Sequence, residues 1–133
     1  MSKRVVIRGP ERQSIRAAAC TSSPDEACGA LLGRCDYQQH WDVSQVAVVA
    51  NESAKPDREF LISSAAVRLL ERTAAQHNAE VIGFFHSHPR GTAPSRTDLE
   101  RAWPGYVYLI ADASDDEVLS GWTLRAGRNG LHS

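Results

Sequence analysis

Two histidines one residue apart, His86 and His88, follow the apolar run Val81–Phe85 and are followed at once by Pro89. On an extended chain, residues i and i+2 project to the same side. Their Cα atoms then lie roughly 6.6 Å apart, at ~3.3 Å rise per residue. Imidazoles leaning together from that spacing can share a zinc ion at about 2.0–2.1 Å each. Pro89 ends the strand, so the pair sits at a rim open to solvent and substrate. Asp98, at the start of the next predicted helix, supplies a carboxylate. Two His and one carboxylate leave a fourth position open, which is the pattern of catalytic rather than structural zinc. Such a metal lowers the pKa of a coordinated water towards about 7.

A lone His-x-His is a weak signal, and Ser95-x-x-Asp98 also has the form of a helix N-cap. In that cap the Ser oxygen and the acidic third residue satisfy free backbone N–H groups. The two readings are compatible for Ser95, whereas a metal-bound Asp98 is less free to cap. The conjunction of His-x-His-Pro and Ser-x-x-Asp in one loop after a buried strand favours the metal.

The surrounding pattern is mixed α/β. Strands are predicted at Val5–Arg8, Ala27–Leu32 (central, punctuated by Gly29 and Gly33), Val43–Ala50, Val81–Phe85, Tyr106–Ala111 and Val118–Arg125. Helices are predicted over Glu11–Cys20 and from a Ser63 or Ser64 cap to about His77, with Ala66, Leu69, Leu70, Thr73 and Ala74 at helical spacing. A third, short helix is expected over Ser95–Trp103, with His86–Pro94 as a loop before it. A strictly alternating parallel sheet does not fit, because strands are neighbours in sequence at both ends.

At 133 residues, with 42% hydrophobic and 23% charged residues, the chain has the size and composition of one globular domain, residues 1–133. The net charge of −1 and the spread of basic residues argue against nucleic acid or an acidic membrane surface. No run approaches the ~20 apolar residues that span a bilayer, and the N-terminus lacks a signal peptide's apolar region, so a cytoplasmic location is expected. Cys20, Cys28 and Cys35 fit neither a disulfide framework nor a Cys-x-x-Cys site, and are expected reduced and mostly buried. His40, His77 and His132 have no partner at ligand spacing. Trp41, Trp103 and Trp122 suit core or rim packing, and Asp115–Glu117 a solvated turn.

The segment GFFHSHPRGTAPSRTD resembles the His-x-His-Pro and Ser-x-x-Asp signature of the JAMM (MPN+) zinc metalloproteases. Upstream, Asp25–Gly29 running into Ala30–Gly33 is similar to that family's other signature, a Glu three residues before a Gly at a strand start. The stretch from Ala102 to Ile110 is similar to its small bacterial members. The resemblance implies a single-domain MPN (cytidine-deaminase-like) fold, a mixed sheet flanked by two or three helices. It implies one zinc ion on His86, His88 and Asp98, with Glu26 as general base and Ser95 as hydrogen-bond donor to the oxyanion. The interval between His88 and Asp98 is one residue shorter than usual in that family; the difference falls in Arg90–Pro94 and bears on where Ser95 stands.

The family's chemistry is hydrolysis of a peptide or isopeptide bond after a C-terminal Gly-Gly. This chain has no room for the insertions by which eukaryotic relatives recognise ubiquitin chains. A small ubiquitin-fold sulfur-carrier protein with a Gly-Gly tail is therefore the expected substrate. Two other functions compete: a non-catalytic protein-binding scaffold of the same fold, which usually lacks the ligands, and a zinc amidohydrolase acting on a small-molecule conjugate. Asp25 rivals Glu26 as base, but neighbours on a strand face opposite ways. Cys28 shares the Glu26 face if the strand is regular, and a thiol nucleophile is the weakest alternative. Oligomeric state is not legible.

Overall fold

The computed structural model describes residues 3–124. Six strands and three helices follow in the order β1 (Arg4–Val6), α1 (Gly9–Ser22), β2 (Cys28–Cys35), β3 (His40–Val49), α2 (Ser64–Gln76), β4 (Glu80–His88), α3 (Arg96–Arg101), β5 (Val107–Asp112) and β6 (Leu119–Thr123). The strands form one mixed sheet, ordered β1-β3-β2-β4-β5-β6. β1 joins β3 and β4 joins β5 in parallel, and the remaining pairs are antiparallel.

The apolar continuity of β2 follows from its place. A strand covered on both faces must be apolar on both, and Cys28 to Gly33 are all buried. Alternate residues serve different layers. Leu31 joins Ile15 and Ala19 of α1, with Phe85, on one face; Ala30 and Leu32 meet Leu70 and Ala74 of α2 on the other. Gly29 is required by the closeness of its neighbours, since a Cβ there would collide with the Ala47 carbonyl and the Phe85 ring.

Several boundaries differ from expectation for local reasons. α1 starts at Gly9, because Pro10 in the first turn is pre-set for helical φ and has no N–H to lose; Arg8 is its N-cap rather than a strand residue. Ser63 caps α2 by accepting the Ala66 N–H. Leu69, placed on the apolar face from its spacing, is instead 60% exposed. β4 continues through both histidines, so the loop expected from His86 begins at Pro89. The last strand ends at Thr123; Arg125 and His132 lie outside the described residues. Of the cysteines, only Cys28 is buried, whereas Cys20 is exposed and Cys35 half-buried; all three are free. Trp103 is exposed and Trp41 lies in the core. His40 stands 3.4 Å from Asp36 across the β2–β3 turn, a half-exposed pair. No described helix is long and apolar enough to cross a membrane.

Candidate metal centre

β4 is an interior strand, flanked by β2 and β5, with His86 opposite Cys28 on one side and Ile110 on the other. That position holds the two imidazoles with little backbone freedom. Ser87, between them, points to the opposite face and is buried. Its Oγ accepts the Ala27 N–H at 2.8 Å, and its N–H donates to the Ala27 carbonyl at 3.0 Å. This double link clips the residue beside Glu26 to the residue between the histidines.

Asp98 comes from the first turn of α3. Ser95 Oγ accepts the Asp98 N–H at 3.0 Å, while Asp98 Oδ2 accepts the Ser95 N–H at 2.9 Å, a reciprocal capping box. The cap and the histidine contacts coexist on one oxygen. Asp98 Oδ2 lies 3.1 Å from His86 Nε2 and 3.2 Å from His88 Nε2, and the two Nε2 atoms are 3.1 Å apart. An oxygen with two lone pairs that already accepts a backbone N–H cannot also fully satisfy two imidazole N–H donors. Two nitrogens at 3.1 Å, both turned towards that oxygen, do not hydrogen-bond to each other either. A metal resolves both conflicts, with neutral imidazoles and the carboxylate aiming lone pairs at one point. Donors around a tetrahedral zinc at about 2.0–2.1 Å stand about 3.3–3.4 Å from one another, close to this triangle. The residues present therefore fit a zinc ion.

Glu26 approaches the same place from the start of β2. One of its carboxylate oxygens and one ring nitrogen each of His86 and His88 lie within 4.8 Å of one another. It is 4% exposed, and its Oε1 has no hydrogen-bond partner among the described residues. Burial, against the pull of a charged His88, pushes its carboxyl up to about 7. Asp98 goes the other way. Burial opposes its charge, but hydrogen bonds from His86 and His88 outweigh that and hold it below the usual carboxylate range. His86 is lowered by burial, and His88 is raised by its hydrogen bond to Asp98. Asp25 is exposed, unlike Glu26 beside it. Cys28 Sγ lies 3.8 Å from the carbonyls of Val49 and Ala50. Its thiol is pushed up to about 12 by burial and then by Glu26, so it is protonated at neutral pH.

Phe60 was not singled out by the sequence, although its ring stacks on His86 at 4.4 Å between centroids and 23° between planes. It comes from the long β3–α2 loop, where only an aromatic after a polar stretch hinted at a buried contact. Beside it an open hollow of about 570 Å³ is lined by Phe60, Ile62, Phe84, Arg101 and Tyr108, among others.

Residues 10–125 match the family described as prokaryotic homologs of the JAB domain. The chain belongs to this family. A desampylase of Haloferax volcanii is 36% identical to this prokaryotic JAB-domain protein over 129 residues, covering 92% of this chain and 90% of that one. A Desulfitobacterium hafniense protein solved in solution superposes with a TM-score of 0.79 at 24% identity, over 94% of this chain and 86% of that one. A Salinibacter ruber protein does so at 0.67 and 28%, over 94% and 83%. A JAB1/MPN domain protein from Archaeoglobus fulgidus, at 0.53 and 22% over 92% and 89%, shares the fold of this JAB-domain chain.

Proposed function

We propose that this protein is a zinc-dependent peptidase or isopeptidase that hydrolyses the bond after the C-terminal Gly-Gly of a small ubiquitin-fold sulfur-carrier or modifier protein. The observation that carries the reading is the convergence of His86, His88 and Asp98 within 3.2 Å of one another beside the buried, unpartnered Glu26. Relatedness to a protein named desampylase supports the substrate class.

His86, His88 and Asp98 hold the metal, and Glu26 and Ser95 work beside it. Bound there, zinc supplies Lewis-acid polarisation of the scissile carbonyl and a lowered pKa for the attacking water. Glu26 takes a proton from that water as the new O–C bond forms, then delivers it to the amine as the C–N bond breaks. A positioned carboxylate of this kind contributes typically ~10²–10⁴-fold. The Ser95 hydroxyl accepts from Asp98 N–H and keeps its own proton to donate to the developing oxyanion. Relatedness to a protein named desampylase sets the amidohydrolase alternative second.

The test pairs metal content with cleavage. Purified protein should carry about one zinc per chain and release the peptide from a carrier ending in Gly-Gly fused to a short C-terminal extension. Zinc bound without cleavage of any such fusion would remove the carrier substrate, and failure to bind added zinc would remove the hydrolase.

A further inference from the structure

Asn51, just past the end of β3, uses its whole side-chain amide. Nδ2 donates to the carbonyls of Glu26 and Glu59, both at 3.0 Å, with Pro56 O a longer third acceptor at 3.5 Å, and Oδ1 accepts the N–H groups of Ser53 at 3.0 Å and Leu61 at 3.1 Å. Carbonyls alone surround Nδ2 and N–H groups alone surround Oδ1, so a single amide orientation satisfies them all. The Glu26 N–H in turn donates to Pro56 O at 2.7 Å. Both backbone polar groups of Glu26 are thus tied to the 51–61 loop, whereas its Oε1 has no partner among the described residues. The far end of the loop is held by α3. Arg101 donates to Phe60 O at 3.0 Å and to the Glu59 carboxylate at 3.3 Å, and Ser53 Oγ donates to that carboxylate at 2.9 Å. The loop therefore straps the start of β2 to the helix that carries Asp98.

We infer that Asn51 is a positioning residue: its amide pins the Glu26 backbone to the 51–61 loop and so sets where the Glu26 carboxylate stands relative to His86 and His88. The inference rests on the reading of Glu26 as the general base. Its reach is large for a residue that touches no substrate, since a misplacement of about 1 Å can cost ~10²-fold in rate. Asn51→Asp keeps the acceptor oxygen for Ser53 and Leu61 but turns a charged oxygen with no proton to give towards the carbonyls of Glu26, Glu59 and Pro56, while Asn51→Ala removes every bond of the amide.

The deciding experiment is residue-resolved hydrogen exchange on the zinc-loaded full chain, in wild type and both variants. Exchange at the Glu26 amide should rise at least ~10-fold in each, with the amides of β4 and β5 unchanged. An unchanged Glu26 amide overturns the inference, and so does a rise spread over the whole sheet, which marks a merely structural residue. On a Gly-Gly carrier fusion, Asn51→Asp should lower kcat about 10–100-fold, with KM within about twofold and zinc still near one per chain. Combined with Glu26→Asp, the loss should match the worse single change; a loss equal to the product of the two overturns the link between Asn51 and Glu26. If wild type cuts no carrier fusion, the peptidase reading fails, while hydrogen exchange alone still decides whether Asn51 holds Glu26.

Discussion

Two carboxylates flank the histidine pair, and their surroundings treat them in opposite ways. Asp98 stands on the α3 wall, where one oxygen meets both imidazoles and a backbone N–H. Glu26 stands on the β2 wall, equally buried but with Oε1 unpartnered among the described residues. Burial disfavours charge at both, yet only Asp98 has enough donors to overcome it. Groups whose environments push their pKa values apart mark a division of labour. The held, charged carboxylate suits a ligand, and the one with a free oxygen suits a base.

Removing the held carboxylate is the harshest way to break this contrast. Asp98→Ala should take zinc from about one per chain to near none and bring cleavage below detection, read by metal analysis beside the fusion assay. It also deletes half of the capping box, so α3 should fray. Zinc retained at full stoichiometry would move the third ligand to Glu26, whose oxygen also lies within reach of both histidines.

Glu26→Gln should leave zinc in place and lower kcat ~10²–10⁴-fold. Stability adds a second, independent readout in the metal-free protein. The folded pKa of about 7 lies above the ordinary 4.5. The neutral carboxyl therefore contributes stability that is fully present below pH 4.5 and lost as the pH rises through about 7. Metal-free Glu26→Gln should thus be more stable than wild type at pH 8, on the order of 2–3 kcal/mol, with the gap closing towards pH 4. Urea unfolding at the two pH values checks the sign; an equal gap at both would mean that Glu26 is not desolvated.

Ser95→Ala tests the α3 wall more gently. Loss of the N-cap should cost about 1 kcal/mol of stability. Loss of an oxyanion donor should cost about 10²–10³ in kcat, with zinc retained. A fall in stability with unchanged kcat would leave Ser95 as a cap alone, which is how the one-residue-shorter interval before it would make itself felt.

The histidine pair was legible because strand periodicity is local: an i, i+2 pair after an apolar run needs no tertiary information. Asp98 was legible as part of a cap, and the structure adds that capping and facing the histidines are compatible on a single oxygen. The mixed α/β order, the central β2 and the Ser63 cap followed from patterning in the same way. What stayed hidden depends on pairing at a distance. The parallel β1–β3 contact, the Phe60 ring on His86 and the bond from Asn51 to the Glu26 carbonyl join segments tens of residues apart, and polar loops carry no periodicity to announce them. Leu69 failed for a different reason: five positions at helical spacing describe more than one stripe, and only docking against β2 and β4 decides which stripe is covered.

The smallest effect is expected at Cys28, which sharpens the comparison because it shares the β2 wall with Glu26. The same enclosure that brings a carboxyl near neutrality pushes the thiol up to about 12, with Glu26 adding to the shift. At pH 7 only about 10⁻⁵ of such a thiol is ionised, too little for a nucleophile. Cys28→Ala should therefore keep kcat within about twofold and cost at most ~1 kcal/mol for the lost packing. Iodoacetamide should label the exposed Cys20 and spare Cys28 in the folded chain, read by mass spectrometry after digestion. Rapid labelling of Cys28, or a large loss of kcat on its removal, would mean that the β2 wall is open to water. The raised carboxyl of Glu26 would then lose its physical cause, and the contrast with Asp98 would go with it.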